Sequence, residues 1–214
     1  MGKTSRLIIA ISRQLGAGGS IVGQGVAGRL GIRYLDRGIL DEAARRLNEP
    51  AETLESVEEK GLTFGERFMN VFAAGTLEAG LLSLPPRYDR EIIAVESEII
   101  RRVADEFDCV IVGRGGSVIL RDLPGLLRVF LHAPLDFRIA QIRARHPEIA
   151  PDEIPGAIRR SDRDRSLFRK MLSELEWSDA RQYDLSIDTG SIGMKAAEEI
   201  VVRAAETIRG RLPE

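Results

Sequence analysis

The chain has 214 residues, enough for one domain or one domain carrying an insert. Lys and Arg number 31 against 33 Asp and Glu, a net charge of −2, which removes the electrostatic basis for a general binder of nucleic acid or anionic membrane. With 43% apolar and only 5% aromatic residues, the core must be built from Leu, Ile, Val and Ala, and the lone Cys109 excludes an internal disulfide. The first apolar run, Leu7 to Ile11, is too short for a signal peptide or a membrane span, so a cytoplasmic location is expected.

Leu7 to Ile11 reads as a buried strand that leads into a glycine-rich turn, Gly16 to Ser20. Val22, Val26, Ala27 and Leu30 then recur at helical spacing until Gly31 stops the helix. A second strand, Ile32 to Leu35, ends at Asp36-Arg37-Gly38. Residues 50–86 show apolar helical turns without a strand-like run and finish at Pro85-Pro86, which predicts a helical insert. Ile92, Val95, Ile99, Val103 and Phe107 mark a helix running into the strand Cys109 to Val112, which ends at Gly113-Arg114-Gly115-Gly116. Arg128 to His132 is a further strand, followed by a helix carrying Leu135, Ile139 and Ile142. Residues 151–176, rich in Arg, Asp and Glu, predict a charged helical arm. The last strand is Leu185 to Ile187, before a helix with Met194, Ala197, Val201, Ala204 and Ile208 on one face. Such alternation predicts a parallel sheet with helices on both faces and ligands beyond the carboxyl ends of its strands.

The loop of Gly16, Ala17, Gly18, Gly19 and Ser20 follows a strand and opens a helix. In that setting successive amides point inward at a phosphate, the helix N-terminus adds positive charge, and the Ser20 hydroxyl reaches a bound Mg²⁺. The P-loop pattern asks for Lys where Gly19 stands, so the cation that steadies the phosphates must come from elsewhere. Arg13 is the first candidate and the arginines of the arm are the second.

Asp36 and Arg37 offer a carboxylate and a guanidinium to an acceptor, or a surface ion pair at a turn. Arg114 among glycines suits planar recognition of a phosphate, or solvation beside a buried turn. Arg159, Asp162 and Arg163, with Arg169 as a further candidate, share a helical face with Arg165 flanking it. That face is either a lid closing over a transferring phosphoryl group or a solvated helix laced by ion pairs. His132, His146 and Cys109 have no metal-site spacing.

Taken in order, five segments resemble the cytidylate kinase-like family of P-loop nucleoside monophosphate kinases. They are Ile11-Ser12-Arg13-Gln14-x-Gly16-Ala17-Gly18-Gly19, Tyr34-Leu35-Asp36-Arg37-Gly38, Val110-Ile111-Val112-Gly113-Arg114-Gly115, Asp162-x-x-Arg165-x-x-Phe168 and Tyr183-Asp184-Leu185-Ser186-Ile187-Asp188-Thr189. The resemblance implies a single α/β domain of the P-loop kinase type, a three-layer α/β/α fold with a five-stranded parallel sheet. Its core would span about 5–49, 87–150 and 177–214, with a nucleotide-binding insert at about 50–86 and a lid at about 151–176. It also implies transfer of the ATP γ-phosphoryl group to CMP or dCMP with Mg²⁺. Gly16 to Ser20 would hold ATP, with Ser20 on the metal; the reading of the residues themselves adds Arg13, Arg159 and Arg163 as the groups expected to act in catalysis. Arg114, Asp162 and Arg165 would bind the acceptor, Arg159 standing one position from the spacing expected of another lid arginine, and the reading of the residues adds Asp36 and Arg37 on the acceptor side.

The departures from cytidylate kinases are as informative. Gly115 stands where an Asp helps read cytosine, Arg37 stands where a small hydroxyl residue is usual, and Asp41 or Glu42 stands where an Arg is expected. They leave room for another small phosphate acceptor, or for a nucleotide-binding regulatory module with weak catalysis. The small residues of Phe72-Ala73-Ala74-Gly75 and Ala79-Gly80 offer a homodimer face on the insert, or packing within one chain.

Overall fold

A computed structural model describes residues 6–36, 90–173 and 175–212. Arg37, the stretch 50–86 and the dimer face expected within it lie outside the described residues. In chain order the elements are β1 (Ile8–Arg13), α1 (Gly19–Leu30), β2 (Arg33–Leu35), α2 (Arg90–Glu106), β3 (Cys109–Val112) and α3 (Gly116–Ile119). There follow β4 (Leu126–His132), α4 (Leu135–Arg145), α5 (Ile154–Leu172), β5 (Leu185–Asp188), α6 (Thr189–Ile192) and α7 (Met194–Arg209).

The five strands form one parallel sheet in the order β2-β3-β1-β4-β5. Parallel neighbours need crossovers, and the crossover helices cover both faces, which is why the central strands are continuous apolar runs. Ile8 to Ile11 and Cys109 to Val112 are all buried. Helices α1 and α7 pack on each other, as do α2 and α3, giving three layers. Gly31 ends α1 in the left-handed region, its N–H bonding to the carbonyl of Ala27.

Strand β1 runs two residues past its apolar stretch. Ser12 and Arg13 still pair with Phe130 and Leu131, because β4 is long enough to carry the ladder on. Arg13 therefore leaves the end of a rigid strand rather than a loop. Strand β4 likewise begins at Leu126, two residues before the expected start.

The charged arm is a 19-residue helix, α5, with Pro155 in its first turn. Its first half carries Ile154 and Ile158 into a separate apolar cluster with Leu15, Ile142 and Ile149. The arm is thus anchored on the glycine turn and on α4. Farther along, Tyr183 packs with Phe130 and Trp177, and its hydroxyl donates to the Trp177 carbonyl at 2.7 Å. Asp184 accepts from Arg128 Nη2 at 2.7 Å and Nε at 3.1 Å, which pins the entry of β5 to β4. Among the described residues, no helix is long and apolar enough to cross a membrane.

Candidate active site

The glycine turn lies at the carboxyl end of the central strand. Gly16 and Gly18 take φ values of 84° and 78°, a region that side chains disfavour. Between them the chain curls so that the amides of Gly16, Gly18, Gly19 and Ser20 make no hydrogen bond among the described residues. Helix α1 starts there without a side-chain cap. Unsatisfied donors at the start of a 12-residue helix form a hollow suited to an anion. The hollow is braced from behind. The Thr189 hydroxyl lies 3.0 Å from the Ala17 carbonyl and 3.1 Å from that of His132, while Gln14 Oε1 accepts from the Ala133 amide at 3.2 Å.

Counting back from Gly18, the P-loop pattern places its first glycine at position 13, where this chain has Arg13. The Arg13 stem crosses Gly19 so closely that a Cβ there would lie 2.4 Å from its Cγ. Its guanidinium ends against Gly113, where a Cβ would lie 2.0 Å from Nη1. Two positions of the pattern have exchanged character, the cation moving to 13 and the glycine to 19.

Burial lowers the Arg13 pKa first, and the guanidiniums of Arg165 and Arg114 push the same way, against Tyr34 and Asp36. No carboxylate lies within ion-pair distance of Arg13 among the described residues. A bound anion would relieve this crowding of like charge. The structure so brings Arg13, Asp36, Arg114 and Arg165 together beside Ser20. The exposed Arg159 and Arg163 make no ion pair among the described residues and stand apart from that cluster.

Arg114 has a φ of 50°, alone among the described non-glycine residues in being positive. Its Nη2 meets Glu96 Oε1 at 2.7 Å, and Glu96 is only 2% exposed on α2. An inward ion pair therefore holds a strained residue in place, at a backbone cost of about 1–3 kcal/mol. Sequence reasoning passed over Glu96. The signal was a carboxylate three residues before Ile99, on the apolar face of α2.

The Tyr34 hydroxyl donates to Asp36 Oδ2 at 3.3 Å. Burial, with the Asp36 charge next, pushes its pKa up to about 12. The folded value lies above the unfolded one near 10, so this contribution to stability is complete below pH 10 and is lost as pH rises through 12. Between pH 9 and 12.5, Tyr34→Phe is expected to lose about 2–3 kcal/mol less than the parent in urea titrations. Identical losses in the two proteins would remove Tyr34 from this account.

Ser20 lies in the hollow itself, and Asp36 accepts from the Tyr34 phenol. No trio of His, Cys, Asp or Glu among the described residues could hold a metal by itself. Mg²⁺ needs no such cage, since it takes one or two protein oxygens together with phosphate and water.

On α5, Asp162 Oδ1 accepts from the Leu15 amide at 3.0 Å and Oδ2 from Arg138 Nη1 at 2.5 Å. Arg165 Nη1 lies 3.6 Å from Oδ1. One turn later, Arg169 Nη1 donates to Ser117 Oγ at 2.8 Å and Nη2 donates to Gln182, tying the end of the arm to the turn that carries Arg114. Arg138 and Arg169 are both buried; Arg169 was read in the sequence as part of the arm's charged face, while Arg138 was not singled out.

A model described as the cytidylate kinase-like family matches residues 8–191. No match is found among curated proteins. A solved structure of an uncharacterized protein from Eubacterium ventriosum ATCC 27560 superposes with a TM-score of 0.70 at 22% identity, covering 94% of this chain and 99% of that one. Shikimate kinase from Bacteroides thetaiotaomicron gives a TM-score of 0.50 at 16% identity, covering 94% and 98%. At such identities the likeness speaks to the fold.

Proposed function

The chain belongs to the cytidylate kinase-like family, and we propose that it transfers the γ-phosphoryl group of ATP to CMP, dCMP or a related small acceptor bearing an anionic group. The observation that carries this reading is the amide-lined hollow flanked by three converging guanidiniums, those of Arg13, Arg114 and Arg165. Phosphoryl transfer needs little covalent chemistry from a protein, so positioning and charge neutralisation suffice.

In this reading the amides of Gly16 to Ser20 grip the ATP phosphates. Ser20 and Asp36 would hold Mg²⁺, which when bound neutralises charge on the phosphate oxygens. Arg13 meets the transferring group from the strand side and Arg165 from the arm. Arg114, fixed by Glu96, holds the acceptor's anionic group, with Asp36 beside it. Arg159 and Arg163 remain exposed cations on α5, available to a nucleotide that draws the arm inward.

One observation favours an acceptor other than cytidylate. Gly115 has a φ of 70°, and a Cβ there would lie 2.1 Å from Leu172 Cδ1, so a cytosine-reading carboxylate would have to take a disfavoured backbone conformation and displace that leucine. A coupled turnover assay with MgATP against CMP, dCMP, the other nucleoside monophosphates and shikimate tests both readings. Product from an anionic acceptor is expected. ATP binding without product from any acceptor would favour a regulatory module, and absence of ATP binding would overturn the proposal.

A further inference from the structure

The arm and the glycine turn meet through one side chain, and the resemblance stated above gives that side chain a different job. As an acceptor ligand Asp162 should present its carboxylate to the cleft. Instead both oxygens are engaged at the turn: Oδ1 accepts from the Leu15 amide at 3.0 Å and Oδ2 from Arg138 Nη1 at 2.5 Å. Arg138 in turn presses on the next residue. A Cβ at Gly16 would lie 2.8 Å from both the Cβ and the carbonyl oxygen of Arg138. Its Nη1 also lies 3.5 Å from the Leu15 carbonyl. Leu15 itself is 8% exposed and packs with Ile142, Ile149, Ile154 and Ile158.

We infer that Asp162, with Arg138, is a positioning pair for the donor loop: it sets the Leu15-Gly16 peptide at the entrance to the hollow and, three residues on, aims Arg165 at the same space. The inference rests on the reading that the hollow holds the phosphates of ATP. A charge-assisted bond to a backbone amide is stronger than a neutral one and leaves that peptide little freedom. Removing it loosens the loop before any ligand arrives. The donor is then bound less tightly, while the acceptor meets unchanged partners at Arg114.

The test uses the full chain with Asp162→Ala and Asp162→Asn, the latter keeping an oxygen for Leu15 but losing the charge opposite Arg138. Asp162→Ala is expected to raise the KM for MgATP at least about tenfold, with the acceptor KM within about twofold of the parent. Asp162→Asn is expected to fall between the two, and it decides the matter if the alanine variant does not fold. Hydrogen exchange without nucleotide supplies a second readout, in which the Leu15 and Gly16 amides should exchange faster in Asp162→Ala than in the parent. A raised acceptor KM with an unchanged ATP KM would make Asp162 an acceptor ligand and overturn the inference. Unchanged exchange would overturn it as well, and this holds even if the parent proves not to bind ATP, an outcome that removes the kinase reading alone.

Discussion

Arg13→Ala is expected to lower the rate of phosphoryl transfer by about 10³-fold, the scale seen when a guanidinium that neutralises a transferring phosphoryl group is lost. The stem of Arg13 is spread over Gly19 and its head reaches Gly113, a path that Arg114 and Arg165, which start from other parts of the chain, do not follow. Gly19→Lys alone, although it restores the P-loop pattern, is also expected to fail, because its Cβ would lie 2.4 Å from Arg13 Cγ. Only the exchange of both, Arg13→Gly with Gly19→Lys, returns a cation to the hollow and clears its path. The double variant should recover at least about tenfold over Arg13→Gly in single-turnover measurements. Normal transfer by Arg13→Ala would dismiss the assignment, and a double variant no better than Arg13→Gly would dismiss the exchange.

Loss of the carboxylate behind Arg114 is the second large effect. Glu96→Ala leaves a guanidinium that is 12% exposed without the 2.7 Å partner that holds it, a change that typically costs about 3–5 kcal/mol. Urea unfolding should register that loss, and the acceptor KM should rise at least about tenfold as Arg114 loses its aim. Glu96→Leu combined with Arg114→Gly separates the two consequences. It removes both charges and places glycine where φ is 50°, so stability should return while acceptor binding does not. Wild-type acceptor binding by Glu96→Ala would show that Arg114 is not the anchor proposed for it.

The sheet was legible because parallel strands are buried on both sides. Ile8 to Ile11 and Cys109 to Val112 carry unbroken apolar runs that little else explains. Gly31, Gly16 and Gly18 were legible for a related reason, since each marks a backbone turn that sequence records directly. Side-chain direction was not. A helical wheel groups Arg159, Asp162 and Arg163 but gives no absolute bearing, and in the folded chain Arg165 is the arm residue whose charge helps to lower the Arg13 pKa. The partners of Asp162 lie 147 and 24 positions away, at Leu15 and Arg138, beyond any local pattern. Arg138 reads in sequence as one more charged residue of α4. The run from Tyr183 to Thr189 could be matched to a family without revealing its tasks, which are to clasp Arg128 through Asp184 and to brace Ala17 through Thr189.

That last brace joins the start of the chain to its end. The hollow is encoded by the opening residues, yet the strands on either side of β1 come from about a hundred positions downstream, and the hydroxyl that supports Ala17 arrives only with residue 189. A nascent polypeptide on the ribosome thus holds an unfinished cradle through most of translation. If the hollow holds a nucleotide as proposed, its capture is expected only after β5 and the start of α6 have cleared the exit tunnel.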